Sequence, residues 1–190
     1  MCSAATIFSS LKTAALRPGD WAVFPGGGGG VGIQGVQLAT AMGLRPIVID
    51  TGAERDKLAR HHGAEHFIDF AKVSDPVKEV VEITGGGAHA VFVTAVQAYP
   101  NVLGYLGARA GGQVMCIGLP PAGKYHIDLD PTSLIFRNHT IKGTIVSSLQ
   151  EVDETLEFAA RGKLTLQPTV VGLSGWNDAV QKLRRGEVAG

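Results

Sequence analysis

The sequence predicts an α/β fold built on a parallel sheet, and three observations support this prediction. Short apolar runs such as residues 21–24 and 46–49 recur along the chain, and helix-length amphipathic segments separate them. The apolar runs are continuous rather than alternating, as is typical of strands covered on both faces. Glycines cluster between the first run and the helical segment that follows it. This alternation, with right-handed crossovers, predicts a doubly wound sheet with strand order 3-2-1-4-5-6.

The elements follow in order along the chain. A helix is predicted over residues 2–15, where Ile7 and Leu11 stand at helical spacing, and a turn over 17–20 ends it. Residues 119–131 are predicted to form a loop that contains an alternating stretch, 126–129, suited to an edge strand. Strands are predicted over 21–24, 47–50, 66–69, 90–93, 113–117, 140–145 and 169–171, and further helices over 33–42, 54–62, 76–83, 98–106, 152–162 and from Trp176, capped by Ser174.

Length and composition limit the classes of function. The 190 residues fit one compact domain, and 17 basic against 17 acidic residues leave no net charge that favours nucleic acid or an anionic membrane. No apolar run reaches the roughly 18 residues needed to span a bilayer. The two cysteines, Cys2 and Cys116, cannot form a disulfide framework. We therefore expect a soluble, cytoplasmic protein.

The glycine cluster carries the most specific signal. Gly27, Gly29 and Gly32 form the pattern G-x-G-x-x-G, directly after a predicted strand and before a predicted helix. In this pattern the glycines allow a tight turn, close approach of a pyrophosphate to the backbone, and close packing of helix on strand. A flexible glycine linker, the simplest alternative, predicts neither flanking element. The context therefore predicts a Rossmann NAD(P)-binding fold, with Gly30 and Val31 also at the pyrophosphate.

Asp50 completes this fingerprint. It ends the second predicted strand, 18 positions after Gly32, where an acidic side chain would accept hydrogen bonds from the hydroxyls of the adenosine ribose. A 2′-phosphate in that place would be repelled by the carboxylate, so the sequence favours NAD over NADP. Arg55 lies five positions further on and weakens this preference, since a guanidinium also binds phosphate. The other strand ends at this edge are predicted at Thr94, Ala95, Val96, Gly118 and Leu119.

Several catalytic patterns are absent from the sequence. No C-x-x-C is present, no G-x-S-x-G nucleophile elbow occurs, and no tyrosine is followed four residues later by a lysine. The six histidines are scattered and are best explained as surface or strand-edge residues. These patterns therefore identify no catalytic residue on this chain.

Taken together, the stretches that surround these motifs resemble one family. The segments 16–21, the glycine loop, 48–50, 63–70, 86–90 and 170–174 are similar to the cofactor-binding half of the medium-chain, zinc-dependent alcohol dehydrogenases, and the microbial tetrameric branch is the most similar. The resemblance covers nearly all 190 residues. It implies hydride transfer between an alcohol and NAD.

The resemblance also assigns roles to individual residues. Cys2 matches the last ligand of the family's catalytic zinc, Asp50 the ribose-binding acid, and Arg55 the basic residue that helps to hold the adenosine. Residues 27–32 match the pyrophosphate loop, and residues 94–96 with 118–119 match the segments beside the nicotinamide. The family's other zinc ligands belong to a preceding domain, and a catalytic zinc needs three protein ligands, so this chain alone is not expected to bind the metal.

The same comparison gives an expected domain organisation. Residues 1–16 correspond to the helix that leads in from the family's catalytic domain, 17–148 to the Rossmann core, and 149–190 to C-terminal helices and a strand, shortened at the end. We expect such a chain to bind dinucleotide but to oxidise little or no alcohol. The family also implies a homo-oligomer, and the alternating stretch 126–129 is the sequence's candidate for edge-to-edge pairing.

Two other functions remain open at this point. One is a stand-alone module that keeps the fold for a partner-binding or non-redox role, with Met1 as a natural start. The other is a zinc-free, NADPH-dependent enoyl or quinone reductase, against which Asp50 argues. Titration with NAD and NADPH distinguishes the three.

Overall fold

The computed structural model describes residues 2–166 and 168–189, and its centre is a six-stranded, all-parallel sheet. The strand order is β3-β2-β1-β4-β5-β6, as the sequence predicts. The chain therefore crosses from one side of β1 to the other between β3 and β4. The strands are β1 (Trp21–Pro25), β2 (Arg45–Asp50), β3 (His66–Asp69), β4 (Ala90–Val93), β5 (Gln113–Cys116) and β6 (Thr140–Gly143).

Helices cover both faces of the sheet. One face carries α1, α2, α3 and α7, and the other carries α4 and α5. A short 3₁₀ segment at Val96–Asn101 precedes α5. A second 3₁₀ segment, Leu173–Gly175, leads into α8. The helices are α1 (Cys2–Ala14), α2 (Gly30–Ala41), α3 (Ala53–His61), α4 (Pro76–Thr84), α5 (Val102–Leu106), α6 (Pro131–Arg137), α7 (Leu149–Ala160) and α8 (Trp176–Arg184).

The alternation of side chains along each strand produces two cores. Phe24 of β1 and Phe92 of β4 stack with ring centroids 5.1 Å apart under α1 and α2, whereas Val23 and Val91 point to the α4 and α5 face. Because both faces are covered, β1 and β4 are buried along their whole length. This explains why the sequence shows continuous apolar runs instead of an alternating pattern.

Two predicted strands do not form. Residues 126–129 have no strand partner: Ile127 packs on the α4 and α5 core, while Leu129 is half-exposed. The sheet's two edge strands are β3 and β6 instead. Residues 169–171 also lie outside any strand, and Val170 is 90% exposed. In both places the apolar pattern is real, but no neighbouring backbone supplies the ladder of hydrogen bonds that a strand needs.

The other differences between the predicted and observed elements lie at the ends of helices. Asp75 caps α4, accepting from the amides of Val77 and Lys78. Ser174 does not cap α8, because it lies within the 3₁₀ turn before that helix. The predicted helix over 98–106 divides into the 3₁₀ segment and α5, since Pro100 has no N–H to donate. Within the described residues, no helix is both long and apolar enough to cross a lipid bilayer.

Candidate functional site

A cleft opens at the carboxyl ends of the strands, where the order of the sheet reverses between β1 and β4. Its volume is about 710 Å³, which is large enough for most of a dinucleotide. The position is the one expected for ligands of open α/β sheets. The lining residues come from the glycine loop, the ends of β2 and β4, and the starts of α4 and α5: Pro25, Gly26, Gly29, Gly30, Val31, Gly32, Ile49, Asp50, Arg55, Phe70, Pro76, Thr94, Ala95, Gln97, Ala98, Asn101 and Tyr105.

Two glycines of the loop differ in what restricts them. A Cβ atom on Gly32 would lie against the carbonyl oxygen of Gly26 and 2.5 Å from the Cα of Gly27, so the protein itself excludes a side chain there. A Cβ on Gly29 would meet only the Gly26 carbonyl oxygen, at 3.5 Å, which is an ordinary contact. The fold therefore leaves open space above Gly29, on the side of the cleft. A ligand that approaches the backbone closely would fill that space.

The first turn of α2 faces the same space. Its N-cap is Gly29, which has no side chain to bond the free amides, and Ile33 makes the first backbone hydrogen bond of the helix. The amides of Gly30, Val31 and Gly32 have no backbone acceptor among the described residues. Unpaired amides at a helix N-terminus bind anions, and the helix dipole adds about 0.3–1 kcal/mol to that binding. The loop therefore fits a pyrophosphate.

Asp50 lies beside this loop at the end of β2, and its residue is only 5% exposed. One carboxylate oxygen accepts from the amide of Gly28 at 3.0 Å. The other accepts from the amide of Thr51 at 2.9 Å and from Nη1 of Arg55 at 2.8 Å. These bonds use three of roughly four acceptor positions of a carboxylate. One position is left, so a ribose that bonds Asp50 with both hydroxyls must displace the Arg55 contact.

Arg55 is held from a second direction. Its Nη2 donates to the carbonyl oxygens of Gly186 and, at 3.0 Å, of Val188, which follow α8. The C-terminal segment thus packs beside the ribose end of the cleft. No other lysine or arginine lines the described cleft. Because its charge is shared between a carboxylate and two carbonyl groups, Arg55 is a poor candidate for binding a 2′-phosphate.

The remaining predicted residues divide into two groups. Thr94 and Ala95 line the cleft, where the Thr94 hydroxyl and the Ala95 amide both donate to the carbonyl oxygen of Pro25, at 2.8 and 3.0 Å. Gly27, Val96, Gly118 and Leu119 do not line it.

The structure shows what holds these four residues. A Cβ on Gly27 would clash with Val48, and the Val96 side chain packs on the α4 and α5 core. Gly118 donates its amide to Val93 and accepts from the Tyr99 hydroxyl at 2.6 Å. Burial, with a smaller effect of Cys116, raises the pKa of Tyr99 to about 12, so this hydroxyl stays a donor. Leu119 is 78% exposed.

Sequence reasoning missed one end of the cleft. Phe70 directly follows β3, so the rule that ligands lie at carboxyl ends of strands was sufficient to identify it. Pro76, Asn101 and Tyr105 come from the starts of α4 and α5 or from within α5, and only the packing of these helices brings them to the cleft. No local pattern in the sequence marks them as lining residues.

The residues present do not fit a catalytic zinc. Cys2 is an exposed free cysteine at the start of α1. No group of three His, Cys, Asp or Glu side chains able to hold a metal ion occurs in the part of the chain that the structure describes. One thiolate supplies a single ligand of the three that a catalytic zinc takes from protein. We therefore assign no reaction step to a metal on this chain.

Comparison with known proteins gives a consistent result. A family model described as zinc-binding dehydrogenase matches residues 30–161. Alcohol dehydrogenase 1 of Neurospora crassa is 36% identical over 192 residues, covering 100% of this chain and 54% of that protein. Alcohol dehydrogenase 2 of Caenorhabditis elegans is 36% identical over 188 residues, covering 99% and 53%. This chain thus spans about half the length of the curated relatives it matches.

Solved structures share the same arrangement. The crystal structure of the alcohol dehydrogenase from the hyperthermophilic archaeon Aeropyrum pernix superposes with a TM-score of 0.87 at 29% identity. The match covers 98% of this chain and 53% of that chain. The fold described above is therefore that of a known class of domain.

Proposed function

We propose, because this chain belongs to the zinc-binding dehydrogenase family, that it is the dinucleotide-binding domain of an NAD-dependent alcohol dehydrogenase. The observation that carries this proposal is the cleft at the strand reversal, where free amides of α2 lie beside the buried carboxylate of Asp50. An anion site next to a ribose-binding acid is the arrangement that a dinucleotide requires. The whole protein would transfer hydride between a primary or secondary alcohol and NAD.

Each part of the cofactor has proposed contacts. The pyrophosphate would bind over Gly29 to the amides of Gly30, Val31 and Gly32. The adenosine ribose would bond Asp50, with Arg55 beside it. The nicotinamide end would extend toward Thr94 to Val96, and Gly118 and Leu119 would contact it once the segment around them packs against the rest of the enzyme. These residues bind and orient the cofactor; the substrate alcohol contacts none of the residues we assign.

NAD is the proposed cofactor in preference to NADP. A 2′-phosphate about 5 Å from the Asp50 carboxylate would be destabilised by roughly 3 kcal/mol per charge at an effective dielectric near 20. Arg55 offsets little of this repulsion, because its Nη2 donates to the carbonyl oxygens of Gly186 and Val188 even where the ribose takes its place at Asp50. The charge balance at the ribose end therefore favours a free 2′-hydroxyl.

We further propose the domain organisation given above: a lead-in helix over 1–16, a Rossmann core over 17–148 and C-terminal elements over 149–190. Cys2 would contribute to a zinc site only when the other ligands are supplied in trans or by further sequence. The chain by itself would bind dinucleotide and oxidise little or no alcohol. Free Cys2 and Cys116 suit a reducing, cytoplasmic compartment.

Calorimetric titration of the purified chain with NAD and with NADPH tests the proposal. We expect binding of NAD with at least a tenfold preference over NADPH, and no measurable NAD reduction with ethanol. A preference for NADPH would favour a zinc-free reductase instead. Failure to bind either dinucleotide would favour a stand-alone module with a partner-binding or non-redox role. Alcohol oxidation at the rate of a full-length relative would contradict the assignment of this chain as a binding domain alone.

A further inference from the structure

The segment that follows α8 meets the ribose end of the cleft through Arg55. Nη2 of Arg55 donates to the carbonyl oxygens of Gly186 and, at 3.0 Å, of Val188, which lie 131 and 133 residues further along the chain. Nη1 of the same guanidinium donates to Asp50 at 2.8 Å. Arg55 thus joins the ribose-binding acid to a segment that is remote in sequence. We call residues 186–188 the C-terminal clasp.

The end of α8 directs the clasp toward Arg55. Gly186 has a left-handed conformation, with φ +69°, which residues with a Cβ rarely adopt. Its amide donates to Leu183 at 3.1 Å, and the Glu187 amide donates to Lys182 at 3.0 Å. These two bonds form a Schellman motif, in which a left-handed residue ends the helix and turns the chain. The position of the clasp therefore depends on the conformation of one glycine.

The clasp lies outside the cores of the domain. No residue of α8 is buried, and its Leu183 is 68% exposed. Gly186, Glu187 and Val188 are exposed as well. The Glu187 side chain pairs with Arg185 of the same segment. A change in the clasp should therefore leave the folded core of the chain intact.

The stem of the Arg55 side chain is fixed at the glycine loop. A Cβ on Gly28 would lie 2.7–2.9 Å from the Cβ, Cγ and Cδ atoms of Arg55, so the alkyl part of this side chain packs directly on the loop. The Arg55 side chain is only 18% exposed. Because its guanidinium also contacts Asp50, it lies within reach of any group attached to the 2′ position of a ribose bound there.

The clasp occupies the nitrogen on which phosphate binding depends most. A guanidinium binds phosphate most strongly through two parallel N–H bonds. One parallel pair comes from Nε and Nη2, and the other comes from Nη1 and Nη2, so Nη2 belongs to both. Nη2 carries two hydrogens, and in this structure it donates to two carbonyl oxygens. While the clasp is in place, neither parallel pair is available to a phosphate.

We propose that the C-terminal clasp determines cofactor specificity, because it excludes NADP by occupying Nη2 of Arg55. With the clasp in place, Arg55 offers a 2′-phosphate single bonds only, and the repulsion from Asp50 dominates. With the clasp displaced, the guanidinium binds the phosphate through two parallel bonds, and the same cleft accepts NADP more readily. The inference rests on the proposed function, because it requires a dinucleotide with its ribose at Asp50.

Calorimetric titration of the full chain with NAD and with NADP tests this inference. In Gly186→Pro the ring fixes φ at about −65°, so the residues that follow leave α8 in another direction. We expect the ratio of NADP to NAD affinity to rise about tenfold, as a paired, charge-assisted contact with the phosphate would give. A chain shortened to end at Arg185 should show the same rise. Circular dichroism should show that both variants are folded.

Two further variants separate the clasp from other effects. Glu187→Gln is the matched control, because it changes a side chain of the clasp and keeps both carbonyl groups, so it should leave the ratio unchanged. Arg55→Ala tests whether the clasp acts through the guanidinium. Combined with Gly186→Pro, it should abolish the rise in the ratio, since no cation is then released.

The outcomes distinguish this inference from the proposed function. An unchanged ratio in both Gly186→Pro and the shortened chain would overturn the role of the clasp while the proposed function stands. An equal rise in the presence of Arg55→Ala would do the same, because the effect would then not pass through Arg55. Binding of neither dinucleotide by the wild-type chain, or a preference for NADP, would overturn the proposed function, and this inference with it.

Discussion

Gly29 and Gly32 show that identical residues in one motif are required for different reasons. The protein backbone excludes a side chain at Gly32, whereas at Gly29 the protein leaves space that only a ligand would occupy. Gly29 also has φ −92° and ψ 172°, a conformation open to any residue. The motif treats the two positions alike, but Gly29 fits a role in ligand binding and Gly32 a role in folding.

We expect Gly29→Ala to fold with the stability of the wild-type chain and to lose at least about tenfold in NAD affinity, because its Cβ would meet the pyrophosphate. Gly32→Ala should lose roughly 3 kcal/mol or more of unfolding free energy, since its Cβ clashes with backbone that cannot move aside. Urea denaturation and calorimetric titration measure both effects. Equal loss of stability in the two variants would contradict this division of roles.

Asp50 controls cofactor choice through its charge. Asp50→Asn keeps the size of the side chain but removes the repulsion of a 2′-phosphate, so the ratio of NADP to NAD affinity should rise about tenfold or more. Asp128→Asn, on an exposed loop, is the matched control and should leave the ratio unchanged. The ratio is the decisive measurement, because Asp50 also accepts from the amides of Gly28 and Thr51 and the substitution will lower stability. A constant ratio would disprove the electrostatic argument.

His89 makes the fold sensitive to mild acid. Its Nδ1 accepts from the amide of Trp21 at 2.9 Å, so the neutral ring carries its proton on Nε2, 3.3 Å from Asp20. Burial and the neighbouring Arg109 lower the pKa of His89 below the usual value near 6.5, and Asp20 opposes them only in part. The unfolded chain therefore binds this proton more readily than the folded chain.

Because the pKa of His89 is lower in the folded chain than in the unfolded chain, acid destabilises the fold. Stability from the neutral ring is present above about pH 6.5 and is lost as the pH falls below the pKa of the unfolded histidine. We expect the midpoint of urea unfolding to decrease as the pH is lowered from 7.5 to 5.5. The decrease should be smaller in His89→Gln, because the glutamine amide can accept from Trp21 at either pH. His62, whose pKa burial also lowers, leaves a residual slope. An identical slope in the variant would show that His89 does not contribute.

Among the elements, β6 is the more exposed of the two edge strands, and it is the edge through which copies of the chain would pair. Its Thr140 amide donates to Gly112 of the sheet, and the Thr144 amide after it donates to Cys116. Because N–H groups alternate in direction along a strand, the Gly143 amide points outward. We propose self-association across this edge, in place of the stretch 126–129, where no strand forms.

Gly143→Pro tests this assignment. Proline removes an outward amide without breaking the ladder to β5, so we expect it to shift a dimer toward monomer in sedimentation equilibrium. Gly143→Ala is the matched control, because a Cβ there has no neighbour within 4 Å and the amide is retained. Unchanged association in the proline variant would exclude this edge as the interface.

Helix α6 begins with the same local sequence signal as α4. Asp130 and Pro131 begin α6, just as Asp75 and Pro76 begin α4. In each helix the aspartate side chain accepts from the two backbone amides that follow the proline. The same Asp-Pro pair thus begins both helices, whereas the sequence pattern predicts a helix over 76–83 and only a loop over 119–131. The apolar residues of α6 did not help, because Ile135 and Phe136 are 78% and 84% exposed and thus give no core-facing pattern.

At the scale of the whole molecule, α1 is part of the core and not only a lead-in helix. Ile7 and Leu11 are fully buried among the residues of α2 and β1. Leu11→Ala should therefore destabilise the chain by about 2–5 kcal/mol in urea denaturation. Lys12→Ala, at an exposed position of the same helix, should cost less than about 1 kcal/mol. A small loss for Leu11→Ala would mean that the domain folds without α1.

The sequence by itself determined the strand order, the glycine loop and the position of Asp50, because each depends on short-range patterns and on a crossover rule that all such chains obey. It did not determine which apolar stretches pair: the alternation over 126–129 and the run at 169–171 satisfy a strand pattern, but pairing needs a neighbour that only the folded chain supplies. Tertiary structure alone placed Tyr105 and Asn101 at the cleft and tied Arg55 to the residues after α8. Side chains that meet across helix packing, far apart in sequence, leave no periodic signal to read.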